Sequence, residues 1–273
     1  MSFLIAALPM YDWPETRAET DTQWAAIRDR LRAAGIAAPE ALTRVAGDLS
    51  ALWRDPALLL AQTCWGPMGL GLADHVEVVG QPDYSGYEGG RGELYSSAVV
   101  MRRADIPPSG LPAISPSRRE ISQSPTPQPP ISPSRGEMAG RPEGGVEAPS
   151  DGRAVLPLDL LGGRRFAFNG RDSMSGYLAL EQDLAALGES LALFCGRVET
   201  GGHRASVVAV AQGRADVAAV DCRSWTLAQR FEPAAKKLAV VGWTARRKGL
   251  PFITAKATPP AVVAKLKVVL EMS

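Results

Sequence analysis

The sequence predicts an α/β protein of two lobes with mostly parallel sheet, interrupted by one disordered insertion. Three observations carry this expectation. Short apolar runs alternate with helix-period segments in two successive sets, the pattern of α/β layers. Of the 273 residues, 45% are hydrophobic, and the mean hydropathy of −0.05 leaves enough apolar surface for a sizeable core. Between the two sets, residues 106–153 hold 11 of the 22 prolines, and no aromatic residue occurs between Tyr95 and Phe166.

The first set begins with Phe3–Leu8, a buried strand stopped by Pro9. Helical spacing follows from Arg17 to Ala34, with Trp24, Ile27 and Leu31 on one face and Gly35 as the stop. Leu42–Val45 reads as a short strand, and a helix opens near Asp48 and closes before Pro56. Leu58–Thr63, Val76–Val79 and Leu94–Met101 read as further strands. In the second set, Arg165–Phe168 is a strand and Ser175–Leu187 a helix ended by Gly188. Leu193–Val198 is a strand, His203–Gln212 a helix closed by Gly213, and Val217–Val220 a strand. Leu238–Val241 and a helix from Pro259 complete the chain. The expected division is lobe one over 1–98 plus 224–273 and lobe two over 99–223, with the cleft between them as the ligand site.

Residues 106–153 carry too little apolar surface to offset the entropy of ordering, so disorder is expected there. Ile114-Ser-Pro-Ser-Arg118-Arg-Glu120 returns as Ile131-Ser-Pro-Ser-Arg135-Gly-Glu137, a duplicated low-complexity element. Two copies are too few for a solenoid.

Charge and composition exclude several classes. Thirty basic against twenty-nine acidic side chains give a net charge of +1, so no nucleic-acid partner is expected. Cys64, Cys195 and Cys222 form no C-x-x-C pair and read as small buried residues. With His75 and His203 the only histidines, neither a metal site nor a cofactor is expected. No apolar run is long enough to cross a membrane, and the start lacks a basic n-region. The expected location is therefore cytoplasmic as the sequence stands, and periplasmic if the true start lies upstream.

Chemistry concentrates at strand–turn–helix junctions. In Phe168-Asn-Gly-Arg-Asp-Ser-Met-Ser-Gly-Tyr177 a helix begins directly after a turn, so free backbone N–H groups and the hydroxyls of Ser173 and Ser175 suit an oxyanion. Plain capping by Asp172 or Ser173 is the alternative. In Thr200-Gly-Gly-His203, the histidine stands at a glycine-preceded helix start, to bind an anion or to cap its own helix. Tyr11, Trp65, Tyr84 and Tyr95 read as cleft walls, with core packing as the alternative. Asp216 and Asp221 bracket an apolar strand; the first reads as structural, while the second stands at the strand's C-terminal end, the usual site edge. No spacing argues for a nucleophile–base pair.

Taken in order, Leu158-Asp-Leu-Leu-Gly-Gly-Arg-Arg-Phe166, Asp172-Ser-Met-Ser-Gly176, the turn at 201–203 and Gly213-Arg-Ala-Asp-Val-Ala-Ala-Val-Asp221 resemble the phosphate, phosphite and phosphonate-binding family of ABC-transporter substrate-binding proteins. Tyr95-Ser-Ser97 fits as well. The resemblance implies the type 2 periplasmic-binding-protein fold and a monomeric solute-binding protein rather than an enzyme. It implies a small oxyanion as ligand, an ABC-type permease as partner, and no membrane insertion. Residue by residue it implies Ser173, Ser175, Gly176 and His203 at the oxyanion and Asp221 at the ligand's other end. Met174 stands where the family often has a hydroxyl residue, and Gly202 where it often has a serine. The alternatives are a cytosolic enzyme on the same scaffold, similar to thiamine-pyrimidine synthases, or a ligand-sensing module.

Overall fold

The computed structural model describes residues 4–107 and 145–271. Before the break run β1 (Ile5–Ala7), α1 (Arg17–Ala33), α2 (Ser50–Trp53), β2 (Leu58–Gln62), α3 (Trp65–Gly69), β3 (Val76–Gly80), β4 (Leu94–Tyr95) and β5 (Ser97–Arg102). After it come α4 (Leu158–Leu161), β6 (Arg165–Phe168), α5 (Ala179–Ala186), β7 (Gly196–Glu199), α6 (His203–Ala211), β8 (Val217–Asp221) and α7 (Cys222–Phe231). Then β9 (Leu238–Trp243), β10 (Arg247–Lys248), β11 (Phe252–Ala255) and α8 (Pro260–Glu271) close the chain.

These strands make two main sheets. The first has the order β1-β2-β11-β3, and the second β7-β6-β8-β5-β9. Each is parallel apart from one inserted antiparallel strand, β11 in the first and β5 in the second. The chain crosses between sheets twice, and at the crossings β4 and β10 pair antiparallel as a ribbon of two residues each. On the first sheet, Trp24, Ile27 and Leu31 of α1 pack with Val263, Leu266 and Val269 of α8. The helical spacing of each set explains why one face of each helix is covered. In the second sheet β5 alternates: Ala98 and Val100 join the α6–α7 side, while Val99 and Met101 join the α5 side with Phe166 and Leu180. A strand covered on both faces reads as an unbroken apolar run, as this one does.

Several expectations are corrected. Leu42–Val45 is irregular: Thr43 N–H donates to Ala6 O at 2.7 Å, but no ladder forms beside the three-residue edge strand β1. Leu94–Met101 is two strands broken at Ser96. Leu191–Leu193 is a 3-10 turn, so the following strand starts only at Gly196. The boundary at 224 is also corrected. Strand β9 takes the free edge of β5, and Trp225 and Ala228 of α7 pack in the second core, so the chain returns to the first sheet only after β10.

Most of the expected insertion, 108–144, lies outside the described residues. Its flanks are ordered, contrary to the expectation over 106–153. Ile106 is buried, Val146 N–H donates to Val240 O, and Trp243 Nε1–H donates to Val146 O at 2.8 Å. The reason is the outer edge of β9, whose unpaired main chain takes up the polar backbone of whatever lies beside it. Among the described residues no helix is long and apolar enough to cross a membrane.

Candidate functional site

The turn after β6 presents Ser173 as an N-cap, its Oγ accepting the Gly176 N–H at 3.1 Å. Residues Met174–Leu178 form one π-type turn that runs directly into α5. Gly176 leaves room for its neighbours: a Cβ there would stand 2.9 Å from the end of the Asn169 side chain, which would have to shift. Ser175 is 3% exposed, and its carbonyl accepts from Ser97 Oγ at 3.0 Å. After β7, Gly201 takes a φ of +83° that a side chain would oppose, and this turn delivers His203 to the start of α6.

The two turns and the end of β8 meet at one imidazole. His203 Nε2 lies 2.8 Å from Ser175 Oγ and 3.1 Å from Asp221 Oδ2. Asp221 is 1% exposed, and its other oxygen accepts the Ser224 N–H at 2.9 Å, capping α7. Burial pushes the Asp221 carboxyl upward, but His203 and the Ser224 groups outweigh it and hold the acid below the usual aspartate range. Ser175 and Asp221 share the same nitrogen. In a nucleophile–base–acid relay the acid holds the opposite nitrogen, which here is Nδ1, a buried atom with no hydrogen-bond partner among the described residues.

The aromatic residues expected as cleft walls divide. Tyr11, Tyr84 and Tyr95 form one buried group, with Tyr11 and Tyr84 hydroxyls 3.1 Å apart and the Tyr84 and Tyr95 rings at 5.6 Å. Burial raises the pKa of all three phenols, so they stay protonated. Tyr84 Oη also accepts the Leu250 N–H, tying the group to the return crossover. Trp65 is only partly buried and donates to Gly249 O at 2.6 Å. Arg223 stacks over Tyr11 at 4.2 Å beside a polar groove of about 170 Å³ lined by Tyr11, Thr20, Gln23 and Tyr87.

The structure thus brings together Ser175, His203 and Asp221, with Ser173 and Gly176 one turn away. Ser173 caps the turn as well, the plainer of its two readings, and Asp221 caps α7, a role the sequence reading does not assign to it. Sequence reasoning missed Cys64, whose Sγ accepts the Met174 N–H at 3.2 Å, and Gly66, where a Cβ would overlap Asp172 O. Both lie on the first sheet's β2–α3 junction, and nothing in their local spacing marks a contact 110 residues away. Cys222 is buried as expected, but Cys195 is exposed. Buried oxygens with no hydrogen-bond partner among the described residues include Thr63 Oγ1, Tyr95 Oη, Ser96 Oγ and Asn169 Oδ1. No group of three metal-binding side chains occurs among the described residues.

Residues 144–271 match the family model of the phosphonate periplasmic substrate-binding proteins of ABC transporters. A search of curated proteins finds no match. Solved structures with the same fold include PhnD1 of Prochlorococcus marinus in complex with methylphosphonate. It is 14% identical with a TM-score of 0.61, over 97% of this chain and 83% of that one. A Xanthomonas citri protein bound to chloride ion gives 18% and 0.59, over 99% and 83%. A binding-protein component of an ABC phosphonate transporter from Pseudomonas aeruginosa gives 14% and 0.59, over 98% and 74%. These likenesses show a periplasmic-binding-protein fold.

Proposed function

We propose that this chain, whose residues 144–271 match the phosphonate substrate-binding family, captures a small oxyanion between its two lobes for an ABC-type importer. The observation that carries the reading is the 2.8 Å contact between Ser175 Oγ and His203 Nε2, made at the starts of two helices. Helix starts offer free N–H groups and positive potential, and a hydroxyl and an imidazole beside them add two directed partners. Phosphate, phosphite and phosphonate are the ligands that fit this chemistry. Asp221 Oδ2 lies on the same imidazole, so its assignment to the ligand's other end rests on the family resemblance. Met174 and Gly202 supply no hydroxyl, which leaves fewer side-chain donors than the family's usual pattern. A periplasmic location and a permease partner follow from the same reading.

Calorimetric titration with inorganic phosphate, methylphosphonate and sulfate tests it. Ser175→Ala and His203→Ala each weaken binding by roughly tenfold or more if an anion takes both as partners, since hydrogen bonds to charged groups contribute about 1.5–3 kcal/mol. Equal affinity in all three proteins, or no binding by any, overturns the reading.

A further inference from the structure

Arg204 directly follows His203 in the first turn of α6, and its guanidinium meets segments of both lobes. On its own side, Nε donates to Glu232 Oε2 at 2.9 Å and Nη2 to Phe231 O at 3.4 Å, at the end of α7. Glu232 is itself fixed, because its other oxygen accepts the Ala234 N–H at 3.2 Å. Across the lobes, Nη1 donates to both oxygens of Glu15 at 3.0 and 2.9 Å. The guanidinium carbon also stands 4.9 Å from the centre of the Trp13 ring. Trp13 and Glu15 belong to the segment between β1 and α1 of the first sheet. Thr16 locks that segment by donating its hydroxyl to the Tyr11 and Trp13 carbonyls at 2.9 and 3.1 Å. Both sides of the contact are therefore built before they meet, and little side-chain entropy is left to lose when they do. A second ion pair between the lobes provides the contrast. Arg230 of α7 lies 3.5 Å from Glu19 of α1, with both side chains more than half exposed, and such a pair contributes little.

We propose that Arg204 is a positioning residue of the anion site, a latch that holds the Glu15 segment against the start of α6 and so keeps the ligand in. The inference rests on the oxyanion reading above and adds to it a residue that touches no ligand. When the lobes part at their crossovers, Arg204 keeps Glu232 and Phe231 and loses only Glu15 and Trp13. The guanidinium thus stays in place for the partner it recaptures on closing. The contacts to Glu15 and Trp13 exist only in the closed form, so their free energy appears in the rate of release rather than of capture. Because Arg204 is the next residue to His203, the latch acts on the helix turn that carries the imidazole.

Stopped-flow kinetics with inorganic phosphate and methylphosphonate test this on Glu15→Gln, Arg204→Gln and the double variant. Each single variant releases both anions roughly fivefold faster, the loss of about one net hydrogen bond, while the association rate stays within about twofold. The double variant is no faster than the quicker single one, since the two side chains act as one contact. Glu15→Gln leaves the urea midpoint close to that of the wild type, which separates positioning from a plain structural role. Glu19→Gln, which breaks the exposed pair, changes neither quantity. Unchanged release or a lowered midpoint in Glu15→Gln, additive effects in the double variant, or an equal effect of Glu19→Gln overturns the latch. If the wild type binds neither anion, the oxyanion reading falls, and small-angle scattering of the ligand-free proteins decides the latch by itself. A larger radius of gyration in Glu15→Gln than in the wild type then sustains it, and an equal radius overturns it.

Discussion

Strand β8 carries an aspartate at each end, and the two are treated oppositely. Asp216, just before the strand, has both oxygens filled by arginine. Arg165 donates Nε to Oδ2 and Nη2 to Oδ1 at 2.9 and 2.8 Å, its backbone N–H reaches Oδ2 at 2.9 Å, and Arg102 reaches Oδ1 at 2.8 Å. The arginines are themselves anchored on the carbonyls of Val210, Gly213 and Ala215. Asp221, at the far end, is more deeply buried yet meets one imidazole and one amide, among several polar atoms with no partner. A saturated ion-pair network fixes a fold, whereas a buried cluster with unfilled partners leaves room for a ligand. The same residue type on the same strand is structural at one end and a candidate binder at the other because of what surrounds it.

The largest expected effect breaks the saturated end. Asp216→Asn leaves the partly exposed Arg102 and Arg165 without their shared carboxylate and lowers stability by about 2 kcal/mol, as loss of charge-assisted hydrogen bonds does. Urea unfolding measures this, and anion affinity should stay within about twofold. A loss of binding as large as that of His203→Ala would erase the contrast between the two ends.

At the other end the balance reverses. His203→Ala costs affinity by roughly tenfold and lowers stability too, because it leaves the buried Asp221 carboxylate without its imidazole, whereas Asp216→Asn moves stability alone. Titration and melting curves on the same preparation separate the two quantities. Acid sharpens the comparison further. Arg165 and Arg102 hold Asp216 well below the usual aspartate range, and Asp221 is depressed too, net of burial. Because both folded pKa values lie below the unfolded value near 3.9, their stabilisation is complete above about pH 5 and is lost as pH falls through the depressed values. Asp216→Asn should therefore flatten the acid limb of a stability–pH curve between about pH 5 and 2. An unchanged limb would mean that other carboxylates dominate it.

The smallest effect tests a cap. Ser173 Oγ is turned to the Gly176 amide, so Ser173→Ala should lower stability by about 1 kcal/mol and change affinity by less than twofold. A tenfold affinity loss there would move Ser173 from the cap to the ligand.

Much of the architecture was legible because burial leaves a periodic mark. Arg165–Phe168 and the α1 face of Trp24, Ile27 and Leu31 follow from period alone. What escaped depends on partners distant in the chain. Phe252–Ala255 is only four residues, and it becomes a strand because β2 and β3 offer it two edges at once. Cys222–Phe231 is a helix absent from the sequence reading, although its buried Cys222, Trp225 and Ala228 recur every third residue along one face. At the site, the junctions holding Ser175, His203 and Asp221 were visible as turn chemistry. Their convergence on one nitrogen was not, because it depends on how three strand ends align across a sheet. Cys64 was invisible for the same reason.

The described segments on either side of 108–144 lie side by side. Arg103, just beyond β5, and Gly145 line the same small cavity at the edge of β9, next to Leu238 and Val240. Two chain ends already brought together by a finished sheet are a ready-made splice point. Closing a loop between them costs only about 0.6 kcal/mol for each doubling of its length. Sequence between 107 and 145 can therefore lengthen, shorten or be exchanged for a reporter domain with little thermodynamic penalty to either core. The duplicated Ile-Ser-Pro-Ser-Arg element at 114 and 131 is the kind of growth such a position permits.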